Sequence, residues 1–120
     1  MVVNALFVGA GGFVGVILRY LISLIPVGDD MAFPIKTFAI NIIGCIVIGF
    51  IAVFLIKGIG SDHLELFLKV GVCGGFTTFS TFALETSGLI RSGNILIAAI
   101  YVLLSVIVGV GVIMMIELLK

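Results

Sequence analysis

Four long, almost uncharged apolar runs constrain this chain more than any other feature. They extend from about Ala5 to Ile25, Phe33 to Ile56, Leu64 to Ile90 and Ile95 to Leu119. A helix needs about 20 apolar residues to cross the hydrocarbon core of a bilayer. Lipid offers no partner to a backbone N–H or C=O, so a spanning segment must satisfy its own. Hydrophobic residues make up 62% of the 120 residues and charged residues 10%. A soluble domain carries about a quarter charged residues, so the surplus apolar surface here is expected to face lipid. The chain reads as an all-α membrane protein of four transmembrane helices, one domain over residues 1–120.

The ends of the runs carry their own signals. The first stops at Pro26 and the polar Gly28-Asp29-Asp30. Pro34 suits the first turn of the second, where its missing N–H is spare, and Lys57-Gly58-Ile59-Gly60 closes it. Asp62 with Glu65 three residues on reads as a capping pair for the third, and Asn94 as a cap for the fourth. The short loops predict antiparallel neighbours with both termini on one side. No basic region or small-residue cleavage site precedes Arg19, so no cleaved leader is expected. Lys57, Lys69 and Lys120 would face one side, Lys36 and Arg91 the other. A margin of about one residue is too small for the positive-inside rule to set orientation. Insertion in both orientations, with pairing as an antiparallel dimer, is one reading; the other is that a small bias suffices or that lipid or insertion machinery decides.

Net charge is zero, from six basic and six acidic side chains, which points to no nucleic acid or acidic partner. Cys45 and Cys73 fall inside apolar runs and read as small buried hydrophobes. His63, the one histidine, lies beside a helix start and reads as a solvated interfacial residue. Nothing here suggests a hydrolytic or redox enzyme.

Polar groups at membrane depth are costly and default to function. Gly11, Gly15 and Arg19 are four apart and share a face, the glycines permitting close helix approach. Arg19 either snorkels to the interface or faces an aqueous vestibule and concentrates anions. Thr37, Asn41 and Cys45 form a polar stripe on the second run, and Asn41 brings an amide that needs partners, for function or for an interhelical hydrogen bond that holds the bundle together. Tyr101, Ser105 and Gly109 share a face of the fourth; a serine there can also bond back to its own helix.

The third run differs in kind. Gly74-Gly75 followed by Thr77, Thr78, Ser80 and Thr81 predicts a helix broken mid-membrane, tolerated only where it is buried in protein or lines a cavity; a continuous helix with a tight Gly-Gly packing spot is the plainer reading. Freed carbonyls would suit a small hard cation, as in the unwound helices of transporters. Phe79 and Phe82 are three apart, and a ring edge carries the partial positive charge an anion favours. Glu85, one turn past Thr81, is either a proton carrier or a partner for a hydroxyl or Arg19. Two functions fit: a pore for a small hard anion, and a small four-span proton-coupled exporter of cationic compounds. The exporter needs a membrane carboxylate, for which Glu85 is the candidate. A non-transporting assembly subunit is a third, plainer reading.

Gly11-Gly12-Phe13-Val14-Gly15 with Arg19-Tyr20, then Thr37-x-x-x-Asn41-x-x-Gly44, then Gly74-Gly75-Phe76-Thr77-Thr78-Phe79-Ser80-Thr81-Phe82 together resemble the Fluc/CrcB fluoride channels. The resemblance covers the whole chain in length and span count, and the third motif is the most specific. It implies an antiparallel, dual-topology homodimer with two pores in the cell (inner) membrane, surrounded by lipid, exporting toxic fluoride passively. By that resemblance Asn41 lines the pore and donates to fluoride, and Phe79 and Phe82 form a phenylalanine box. Thr37, Ser80, Thr81, Tyr101 and Ser105 fall along the polar track or its mouth. Arg19 serves the vestibule and Glu85 the far end of the track. Carbonyls of Gly74 and Thr77 from both subunits surround a structural sodium ion.

Overall fold

Backbone groups with no water to bind are satisfied mostly within helices along the apolar runs. The computed structural model describes residues 1–28 and 30–120; Asp29, expected in the turn after the first run, lies outside the described residues. Helix α1 is Val2–Ser23 and α2 is Ile35–Ile56. The third run is composite: α3 Asp62–Glu65, a π-helical stretch Leu66–Cys73, a turn α4 Gly74–Phe76, and α5 Phe79–Arg91. Helix α6 is Ile95–Glu117. No strand occurs among the described residues. Among the described residues four helices, the third counted from Asp62 to Arg91, are long and apolar enough to cross a membrane. A helix of 22 residues such as α1 rises about 33 Å against a core of about 30 Å. This is a multi-pass membrane protein.

Two helix starts differ from the expected caps. The cap of α3 is Ser61, whose Oγ accepts the Leu64 N–H at 3.2 Å. Ser61 is extended, whereas Asp62 is already helical and sits in the first turn, where its charge complements the helix dipole. Asn94 occupies the cap position of α6 but makes no side-chain bond to it. Its amide instead donates back to Ser92 Oγ at 3.2 Å, and its backbone N–H closes on the Leu89 carbonyl at 2.8 Å. Pro34 lies immediately before α2 and accepts the Phe38 N–H at 3.0 Å.

The helices pack chiefly as two pairs, α1 on the π-helical stretch and α4, and α2 on α6. The first pair meets backbone to backbone. A Cβ at Gly11 would strike the Phe67 carbonyl, one at Gly15 the Val72 carbonyl, and one at Gly75 would lie 2.7 Å from the Gly12 carbonyl. The face predicted from the Gly11–Gly15 spacing is therefore the one α1 buries. Tyr101, fully buried, centres a cluster with Leu89 and Ala98 that joins α5 to α6.

Candidate functional site

The site grows from two residues that leave the helical backbone. Thr77 (φ −78°, ψ 159°) and Thr78 (φ −149°, ψ 120°) are extended, while Gly74 and Gly75, the glycines singled out in the sequence, are helical. The neighbouring hydroxyls explain the position. Thr77 Oγ1 donates to the Cys73 carbonyl at 2.8 Å, closing the preceding turn. Thr78 Oγ1 accepts the Thr81 N–H at 3.2 Å as the N-cap of α5.

Asn41 completes the arrangement. Its Oδ1 accepts the Thr78 N–H at 2.9 Å and its Nδ2 donates to the Thr78 carbonyl at 3.1 Å. One amide thus stands in for both backbone partners that a continued helix would have provided. Because the Thr78 N–H turns to Asn41, the Gly74 carbonyl loses the donor four residues on. Gly44, about one turn beyond Asn41, lets α2 come this close: a Cβ there would collide with the Thr77 methyl.

The predicted residues divide between two hollows, both lined by Thr78. A cavity of about 490 Å³ takes Asn41, Gly74, Thr77, Phe79, Phe82 and Ser105. Another, of about 640 Å³, takes Arg19, Thr37, Ser80, Thr81 and Glu85. Tyr101 lines neither and links the two sets. Its ring lies 4.9 Å from that of Phe82, and its hydroxyl donates to Glu85 Oε2 at 2.8 Å. Thr37 Oγ1 donates to the other oxygen, Oε1, at 2.6 Å. Of the roles open to Glu85 in the sequence, this geometry is that of a partner for hydroxyls.

The electrostatics favour a small anion. Thr78 Oγ1 donates to Thr81 Oγ1 at 3.0 Å and stands 3.5 Å from Ser80 Oγ, so three hydroxyls cluster at the start of α5. The first turn of that 13-residue helix adds the partial positive charge of its N–H groups. The Phe79 and Phe82 rings are tilted at 43° with centroids 5.8 Å apart. Ser105 Oγ is buried with no hydrogen-bond partner among the described residues. The back-bond to its own helix that the sequence left open is not made.

Two residues near the site were not among the site residues read from the sequence. Thr78, read there only as part of the helix break, takes part in five hydrogen bonds, and its signature was the Ser/Thr that precedes an apolar helix start. Lys36 lines the larger hollow; it read only as a loop charge.

The chain is similar to known proteins along most of its length. The family described as CrcB-like protein, Camphor Resistance (CrcB), matches residues 6–116. A protein of Chlorobaculum tepidum named fluoride-specific ion channel FluC is 48% identical over 100 residues, covering 82% of this chain and 79% of that protein. One of the same name from Novosphingobium aromaticivorans is 44% identical, covering 87% and 85%. Fluoride-specific ion channel FluC 1 of Streptomyces avermitilis is 43% identical, covering 90% and 88%. With a match running nearly end to end and relatives this close over most of their length, the chain belongs to the CrcB family.

Proposed function

We propose that this protein is a fluoride-selective channel that exports fluoride passively across the cell membrane and relieves fluoride toxicity. The observation that carries the reading is the gathering of uncharged donors around Thr78, in a chain whose relatives carry the name of fluoride-specific channels. Fluoride is small and strongly hydrated, so entering a membrane requires close replacement of its water contacts. Hydroxyls of Ser80 and Thr81 and ring edges of Phe79 and Phe82 offer that replacement. Asn41 Nδ2 carries two hydrogens and spends one on Thr78, which leaves one to donate. A buried hydroxyl left unpaired costs about 1–3 kcal/mol, so Ser105 gains from an acceptor passing by. Thr37 and Tyr101 spend their hydrogens on Glu85 and hold its carboxylate at the far end of the track. Arg19 serves the vestibule.

The extended Thr77–Thr78 segment is, in this reading, a mid-membrane break in the third helix. The functional unit is an antiparallel, dual-topology homodimer. Near-even cations on the two sets of loops support it, as does Phe79, whose side is 78% exposed in one copy and lacks a cover. A structural sodium ion would be held by the Gly74 and Thr77 carbonyls of both subunits. The residues fit such an ion: the Gly74 carbonyl has lost its helical donor to Asn41, Thr77 is extended, and a Cβ at Gly74 would meet nothing within 4 Å. The ion would neutralise converging carbonyl dipoles and tie the two copies together.

Export of cationic compounds by proton coupling is the competing reading. It requires Glu85 to exchange a proton for substrate, whereas both its oxygens accept hydroxyls here. Liposomes reconstituted with the protein are expected to release fluoride and retain chloride. Equal chloride flux would overturn the channel reading.

A further inference from the structure

Lys36 stands in the first turn of α2, immediately before Thr37, and is half-buried. Its Nζ donates to the carbonyl of Ser23, the last residue of α1, at 2.7 Å. Ser23 is one turn beyond Arg19, and Arg19, Ser23 and Lys36 line the same 640 Å³ hollow as the hydroxyls of Thr37, Ser80 and Thr81. Glu85 is the one carboxylate among the described residues lining it. Among those residues the hollow holds two cations against one anion, and that acid is already engaged by Thr37 and Tyr101.

We propose that Lys36 is a second mouth cation, which works with Arg19 to concentrate fluoride in this hollow and so sets the rate at which the channel captures it. The inference rests on the channel reading above. An ammonium suits this task because it is a compact, strongly hydrated point charge; it attracts an anion without the forked contact that would hold it. The Ser23 carbonyl fixes where the charge stands. Removing one unit charge about 4–8 Å from an ion in water-like surroundings lowers its local concentration roughly two- to sixfold. Salt erases that effect, since the screening length falls from about 10 Å at 0.1 M to about 3 Å at 1 M.

The competing role is purely structural, a donor that closes the end of α1. Lys36→Gln separates the two, because glutamine keeps an N–H donor and loses the charge. Initial fluoride efflux would be measured from liposomes carrying the wild type, Lys36→Gln, Lys36→Glu and Lys36→Arg. Fluoride is kept below saturation, and ionic strength is set with an impermeant salt at about 0.02 M and about 1 M. The expected result at low ionic strength is a two- to sixfold loss for Lys36→Gln, a larger loss for Lys36→Glu and none for Lys36→Arg, all converging on the wild type at high ionic strength. A loss of equal size at both ionic strengths, no loss, or a matching loss in Lys36→Arg would overturn the proposal. A wild type that moves no fluoride would instead remove the channel reading on which it rests.

Discussion

Truncating Asn41 tests the centre of the site most directly. In Asn41→Ala the Thr78 N–H and C=O, now bonded at 2.9 and 3.1 Å, lose both partners. Thr78 is only 8% exposed, so neither group recovers a full water bond. At about 1–3 kcal/mol for each unpaired group, the variant should lose about 2–6 kcal/mol of stability. Asn41→Asp keeps the acceptor for the N–H but sets a carboxylate oxygen against the Thr78 carbonyl. A charge at membrane depth adds about 2.5–3.5 kcal/mol to that repulsion, and it repels fluoride where a donor is needed. Both variants would be compared with the wild type by thermal denaturation in detergent and by fluoride efflux from liposomes. The expected outcome is a lowered melting midpoint in both and no conduction in Asn41→Asp. An unchanged midpoint in Asn41→Ala would refute the clamp, and retained flux in Asn41→Asp would remove Asn41 from the pore.

Further outcomes follow from the same contacts. Glu85→Gln should conduct fluoride nearly as well as the wild type, because the Thr37 and Tyr101 hydroxyls can rotate to suit an amide; a proton-coupled exporter would lose all transport in the same assay. Gly15→Val should destabilise the fold by several kcal/mol, as overpacking does, since its Cβ would strike the Val72 carbonyl and lie 2.8 Å from the Phe76 nitrogen; an unshifted melting midpoint would contradict the backbone-to-backbone seam. Replacing sodium with a large organic cation should lower the dimer fraction measured by light scattering in detergent, and an unchanged fraction would count against sodium at Gly74 and Thr77.

Much of this organisation is legible in the residues themselves. Span count follows from run length and sparse charge, and the close face of α1 follows from Gly11 and Gly15 four apart. The start of α5 was less legible. Glycine is the ordinary helix breaker, yet Gly75 is held helical against the Gly12 carbonyl, and the backbone departs where Asn41 offers Thr78 a better bargain of partners. That contact joins residues 37 positions apart, beyond any local pattern. The same holds for Glu85, whose hydroxyl partners come from two other helices, 48 and 16 positions away. The π-helical stretch Leu66–Cys73 left no mark in the hydrophobic pattern, because Leu, Phe and Val serve either ladder equally well.

That stretch has a consequence for alignment of the two halves of the third run. A widened turn accommodates a residue that a regular α-helix of the same length would not, and such turns are rare and frequently found at functional sites. It therefore sets the phase of Gly75 and Thr78, both downstream of it, relative to α3. Loss of one residue from it is absorbed by tightening a widened turn to an α-turn, which keeps Gly75 against the Gly12 carbonyl and Thr78 against Asn41. The same deletion within α5, which has no such slack, would turn everything beyond it by about 100° about the axis. A one-residue deletion in Leu66–Cys73 should therefore harm the protein less than one in Phe79–Arg91.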